Sequence, residues 1–229
     1  MQHLLLNIYC CSMTIYGERK EEKDSMRRKH AEVTDRMEIE RIMALTTIGR
    51  LVTNGPDGYP YVTPVNFVFY EGNIYFHCAP KGEKLDNLLR DPKVCFEVDF
   101  PLAYIGRDFD PNGGACRLHQ FYHCVIIRGT ASVVTDEVLK TNALNALVAK
   151  HEPSVDFPPV TAELEGFHRC AVVEVRPLSI TAKSDVGKNR PEDERRAIAH
   201  RLKERGGPAD LEAVRAMGFD PDAFESSAD

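Results

Sequence analysis

Across residues 59–70 the side chains alternate, with Tyr61, Thr63, Val65, Phe67 and Phe69 on one face. A period of two marks an extended strand with one side buried. Glu71-Gly72-Asn73 then turns the chain tightly, and residues 74–79 run back as a second strand. A hairpin at this point excludes an all-parallel sheet, because parallel neighbours need a crossover of a dozen residues or more.

The neighbouring segments continue in that style. Residues 49–53 form a short strand ahead of the turn-rich Asn54-Gly55-Pro56-Asp57-Gly58. Residues 93–100 form another, with Val94, Phe96 and Val98 on one face. Residues 101–120, rich in Gly, Pro and Asp, read as irregular. A long strand is expected over 121–135 with a bulge or bend at Gly129, and a last one over 170–182 carrying Val173, Val175 and Ile180.

Three helices are expected between and beside the strands. One is capped by Asp35 or Thr34, with Glu38 as capping-box partner and Ile39, Ile42 and Met43 as its buried stripe. The second spans 82–90, with Leu85, Leu88 and Leu89 inward, and Asp91-Pro92 ends it. The third runs from its cap Asp136 to Lys150, with Leu144, Leu147 and Val148 inward. About six strands, few helices and no βαβ alternation predict a mainly β fold with peripheral helices, an antiparallel barrel or sandwich.

Charge and composition narrow the partners. The 229 residues carry 29 Lys+Arg against 35 Asp+Glu, a net of −6 with a pI near 5.8. That balance lacks the basic footprint of a nucleic-acid binder. No apolar run approaches the roughly 18 residues needed to span a bilayer, so neither nucleic acid nor membrane is an expected partner. The 7 cysteines are odd in number, form no C-x-x-C pair, and sit partly in strand-like runs. They fit a reducing cytoplasm better than a disulfide scaffold. No Lys or Arg precedes the short apolar stretch at the N-terminus, so no secretory signal is expected. Residues 17–30 are almost wholly polar and should be solvated. The expected division is an extension over 1–25, one domain over 26–185, and a polar helical tail over 186–229 with little to bury.

The chemistry concentrates in residues 59–100. Pro64 has no N–H, so its strand is not a fully paired central one, and nearby backbone groups are left for the polar edge of a flat ring. Further on, Lys81-Gly82-Glu83-Lys84 stands at a helix start, where free N–H groups and two lysines attract an anion. A flat heterocycle with a phosphate tail suits that pairing. Taken alone, the two lysines read rather as solvated helix-start charges.

This run, in the order P-x-V-x-P-V-N-F, I-Y-F-H, G-x-K-x-x-N and D-P-K-V, resembles the pyridoxamine-phosphate-oxidase-like flavoproteins, the FMN-binding split β-barrels. The resemblance is nearest to their nitroimidazole-resistance subgroup and covers residues 26–185. It implies an FMN-binding split barrel and a homodimer with flavin at the interface. It also implies a small-molecule substrate, nitroaromatic in the narrowest form. Val62, Thr63, Pro64, Val65, Asn66, His77, Cys78, Lys81 and Lys84 are the implied cofactor-binding residues, with Lys84 at the phosphate. His77 is the implied catalytic residue, an imidazole able to donate a proton near neutrality. Without the resemblance, His77 and Cys78 read as packed strand residues.

The chain also departs from that pattern. Glu83-Lys84 stands where true pyridoxine-phosphate oxidases carry Arg-Lys, and there is no tryptophan for their C-terminal substrate motif. Vitamin B6 oxidation is therefore not expected. A non-catalytic flavin- or haem-binding module of the same fold is the alternative. A third class, a small metal-binding protein, would use Cys116, His119, His123 and Cys124, whose identities suit zinc. The adjacent His123 and Cys124 should face opposite ways on a strand, so no metal site is expected.

Overall fold

The computed structural model describes residues 26–110 and 113–224. Its centre is one 8-stranded antiparallel sheet. The strands are β1 (Glu32–Val33), β2 (Ile48–Asn54), β3 (Pro60–Asn66), β4 (Val68–Tyr70), β5 (Asn73–Cys78), β6 (Lys93–Ile105), β7 (His119–Val133) and β8 (Ala171–Asp185). They pair in the order β3-β2-β6-β7-β8-β5-β4, with β1 added to β8. The two ends of that path, β3 and β4, are consecutive in the chain, so the sheet curls until its ends approach. This is a split barrel, mainly β with peripheral helices.

The expected single strand over 59–70 divides at Phe67. Upstream of it β3 pairs with β2, and downstream β4 pairs with β5. The alternation persists through the break, with Val65 and Phe67 both buried in the barrel core. The hairpin turn is as expected: Glu71 and Gly72 both have positive φ, 49° and 85°. The bulge at Gly129 is also present. The β7–β8 register shifts between Arg128 and Gly129, and a Cβ there would lie 2.1 Å from the Arg176 carbonyl oxygen.

Helix α1 (Arg36–Ala44) is capped by the Asp35 side chain, which accepts from the Met37 N–H at 3.1 Å. Glu38 does not complete a capping box; it takes a two-pronged bond from Arg41 instead. Helix α2 (Glu83–Arg90) buries Leu85 and Leu88, but Leu89 is 81% exposed, and Asn87 takes the third inward place. Helix α3 (Glu137–His151), capped by Asp136, covers Tyr75, Val68 and Val172 with Ala143 and Leu147, while Leu144 packs at the margin. At its end Lys150 donates to the Met43 carbonyl at 3.1 Å and lies 3.5 Å from the centre of the Phe67 ring. His151 meets the Phe67 carbonyl at 3.2 Å, so α3 clamps the point where the strand changes partner. A short helix α4 (Glu165–Arg169), not expected, leads into β8.

Two further expectations fail together. Residues 101–120 are not wholly irregular, since β6 continues to Ile105 and β7 begins at His119. The tail is not without a core. Helices α5 (Glu192–Arg205) and α6 (Pro208–Ala216) bury Ile198, Leu202, Val214 and the following Met217 against Leu102, Ile105, Phe121 and Val186. The long β6 supplies the apolar surface that the helices need. The expected extension over 1–25 lies outside the described residues. No described helix is long and apolar enough to cross a membrane.

Candidate functional site

Strand β3 stands at the end of the sheet path, where a proline is tolerated, and Pro64 lies opposite Arg50 of β2. Val62, Pro64 and Asn66 point outward and are exposed, while Thr63 and Val65 face the barrel. The Thr63 hydroxyl is enclosed without a hydrogen-bond partner among the described residues. A buried, unpaired hydroxyl is costly unless something else meets it.

His77 lies on β5 opposite Val172 of β8 and is exposed. Two residues earlier on that face, Tyr75 is covered by α3; at His77 the cover has ended. Cys78 turns inward against the barrel core. Burial raises its thiol pKa, Lys84 pulls it down, and the nearby Cys170 adds to the rise. The lysine and the thiol are therefore neighbours.

The N-terminus of α2 completes the group. Gly82 precedes it with φ 131°, no side chain caps it, and a Cβ at Gly82 would meet nothing within 4 Å. The first N–H groups of a helix lack intrahelical acceptors, and with the helix dipole they favour an anion in that open space. Lys81 is exposed and Lys84 half-buried. Glu83 and Asp86 share this first turn but both are exposed.

Two residues missed as functional fix the position of α2. Asn87 Nδ2 donates to Thr53 Oγ1 at 3.1 Å, with both side chains buried. Arg90 extends the tie, donating to Asn87 Oδ1 at 3.2 Å and to the Asn54 carbonyl. The asparagine stands in the G-x-K-x-x-N run, yet its spacing alone reads as part of an apolar helix face.

Contacts of β3 with β5 and of α2 with β2 gather these segments into one neighbourhood. An edge strand with outward backbone and an uncapped helix start beside Lys84 form a donor set that suits a flat heterocycle carrying a phosphate.

The residues 116–124 do not converge. Cys116 is exposed. His119 Nε2 lies 3.3 Å from Asp185 Oδ1. His123 is fully buried, with Nε2 3.6 Å from Glu212 Oε1, and Cys124 faces the opposite side toward Glu97. Burial pushes the Cys124 thiol up to about 11, and Glu97 and Asp99 add to the rise, so it is a poor thiolate ligand. No group of three or more His, Cys, Asp or Glu able to hold a metal occurs among the described residues. His123 and Glu212 instead lie in a buried polar cluster with Arg41. Burial opposes the Glu212 charge, but His123 and Arg41, the latter at 2.7 Å, hold its carboxyl below the usual range.

Comparison with known proteins gives a family and a fold. The description "Pyridoxamine 5'-phosphate oxidase" matches residues 35–184, more than half of the chain. No curated protein matches the sequence. Among solved structures, a candidate 5-nitroimidazole antibiotic resistance protein from Bacteroides thetaiotaomicron aligns with TM-score 0.55 at 20% identity, over 66% of this chain and 85% of that one. A flavocytochrome from Azotobacter vinelandii aligns with TM-score 0.59 at 21% identity, over 74% and 77%. An FAD and haem binding protein from Mycobacterium smegmatis aligns with TM-score 0.59 at 16% identity, over 77% and 80%. At these identities the structural likeness concerns the fold.

Proposed function

The chain belongs to the pyridoxamine 5'-phosphate oxidase family, and from that premise we propose that it binds FMN and acts as an oxidoreductase on small nitroaromatic or related substrates. The observation that carries the proposal is the shared neighbourhood of β3, His77 and the open N-terminus of α2 with Lys84. In this reading Lys81, Lys84 and the first amides of α2 hold the phosphate. Backbone groups of Val62, Thr63, Pro64, Val65 and Asn66 meet the polar rim of the ring. Cys78 packs behind them. When bound, the flavin supplies the electron pair. His77 holds a proton at its ring nitrogen, at the surface, and donates it to the reduced substrate.

The same reading makes the protein a homodimer. Around Val62, Pro64, Asn66 and His77 a single chain offers an open surface rather than a closed pocket. A second copy would cover the ring and exclude water.

The competing reading is a non-catalytic flavin- or haem-binding module. In its favour, two fold neighbours are described as a flavocytochrome and as an FAD and haem binding protein. One experiment separates the two. The purified chain is examined by absorbance, its ligand is released and identified by chromatography, and the reduced protein is mixed with nitroaromatic acceptors. FMN together with rapid reoxidation supports the enzyme. A Soret band, or bound flavin inert to acceptors, supports the module. A colourless chain that takes up neither FMN nor FAD overturns both.

A further inference from the structure

A cavity of about 310 Å³ lies between the end of β6, residues 106–110 and 117–118, and α5. It is at the opposite end of β6 from α2, so it is separate from the site described above. One wall, α5, lies beyond residues 35–184, the part shared with the family. The volume falls at the lower end of the range for small-molecule sites.

Its lining combines an apolar floor with an arginine rim. Ile105 and Ile198 are buried and join Phe109 in forming the floor. Arg117 bridges Asp110 at 2.6 Å and Glu194 at 2.7 Å, and Arg190 also pairs with Glu194. The third guanidinium, Arg201, meets no carboxylate within ion-pair distance among the described residues. It donates to the Asp108 carbonyl and lies 5.6 Å from the Phe109 ring centre. Of the three lining arginines, Arg201 alone lacks a carboxylate partner among the described residues, and its planar group is already set beside an aromatic ring.

We propose that this cavity binds a planar aromatic carboxylate, with its ring against Phe109, Ile105 and Ile198 and its carboxylate on Arg201. A guanidinium presents two parallel N–H donors that match a carboxylate, and its planar face tolerates an aromatic neighbour. The apolar floor supplies affinity and the unmatched charge supplies selection for an anion. Because the ligand would touch both β6 and α5, occupancy holds the C-terminal helices to the barrel.

The test titrates 2-naphthoate into the full chain as purified, followed by calorimetry and by thermal unfolding. The expected result is saturable binding of one molecule per chain and a melting temperature that rises with ligand concentration. Neutral 2-naphthamide binds at least about tenfold more weakly, since it forfeits the charge-assisted contact. Arg201→Gln lowers naphthoate affinity by a similar factor. Ala197→Trp places a large side chain in the cavity from an exposed helix position, so it abolishes binding while the chain stays folded. The proposal fails if naphthoate does not saturate the protein below millimolar concentration. It fails equally if the amide binds as well as the acid, or if a folded Ala197→Trp variant binds naphthoate unchanged.

Discussion

Asn87 donates to Thr53 Oγ1 at 3.1 Å in a buried contact between α2 and β2. This bond fixes the rotation of α2 and hence the direction in which Lys84 and the first amides of the helix face. Asn87→Leu fills the space but leaves the Thr53 hydroxyl unpaired. It should cost about 1–3 kcal/mol of stability, the penalty for an orphaned buried group. FMN affinity should also fall, by roughly tenfold, because the anion site turns with the helix. Denaturant unfolding and fluorescence titration measure the two effects. A destabilised variant with unchanged FMN affinity would place the phosphate away from α2.

Lys84→Glu tests the phosphate contact itself. The side chain is half-buried in the first turn of α2, where its charge and the helix dipole act together. Reversal removes a charge-assisted contact and adds repulsion. The expected loss is about 2–4 kcal/mol, or ~30- to ~1000-fold in FMN affinity. Lys81→Glu, at an exposed position before the helix, should cost less. Equal effects from the two would argue for a diffuse field rather than a site.

His77→Ala separates enzyme from carrier. The side chain is exposed and lies beyond the cover of α3, so its removal should leave melting temperature and bound flavin nearly unchanged. Reoxidation of the reduced protein by a nitroaromatic acceptor should slow by roughly a hundredfold, the scale of one general acid. Stopped-flow absorbance reads that step. An unchanged rate in the folded variant assigns the proton to another group.

Most of the candidate site lies in one run, from Val62 to Lys84, where strand alternation, a tight turn and a helix start are all local signals in the sequence. What was not legible depends on partners distant in sequence. The break at Phe67 leaves the alternation intact and changes only which strand accepts the hydrogen bonds. Leu89 and Asn87 exchange roles because Thr53 offers a buried hydroxyl to the asparagine. In the tail, Ile198, Leu202 and Val214 form narrow stripes among many charges. Their counterpart surface, Leu102, Ile105 and Phe121, lies in or beside a segment whose Gly, Pro and Asp content reads as loop.

Lys150 predicts a pH dependence of stability. Burial pulls its pKa from 10.5 down to about 8, against a single carbonyl acceptor and the face of Phe67. Between those values the unfolded chain holds a proton that the folded chain has released. Unfolding then takes up a proton, and the contribution of Lys150 to stability rises as pH goes from about 8 to 10.5. Because the ammonium is only partly enclosed, the gain should be on the order of 1–2 kcal/mol rather than the full value of the shift. Other groups act in the opposite sense. Burial, followed by Glu174, raises Tyr75 from 10 to about 12, and burial raises Cys95 above its ordinary 9, so each costs stability as pH climbs past its own ordinary value. The difference between the parent and Lys150→Met isolates the lysine. Methionine keeps the apolar stem over Phe67 and cannot titrate. Denaturant unfolding at a series of pH values should show the parent gaining on the variant from pH 8 upward. A constant difference across that range would mean that the ammonium stays charged in the fold.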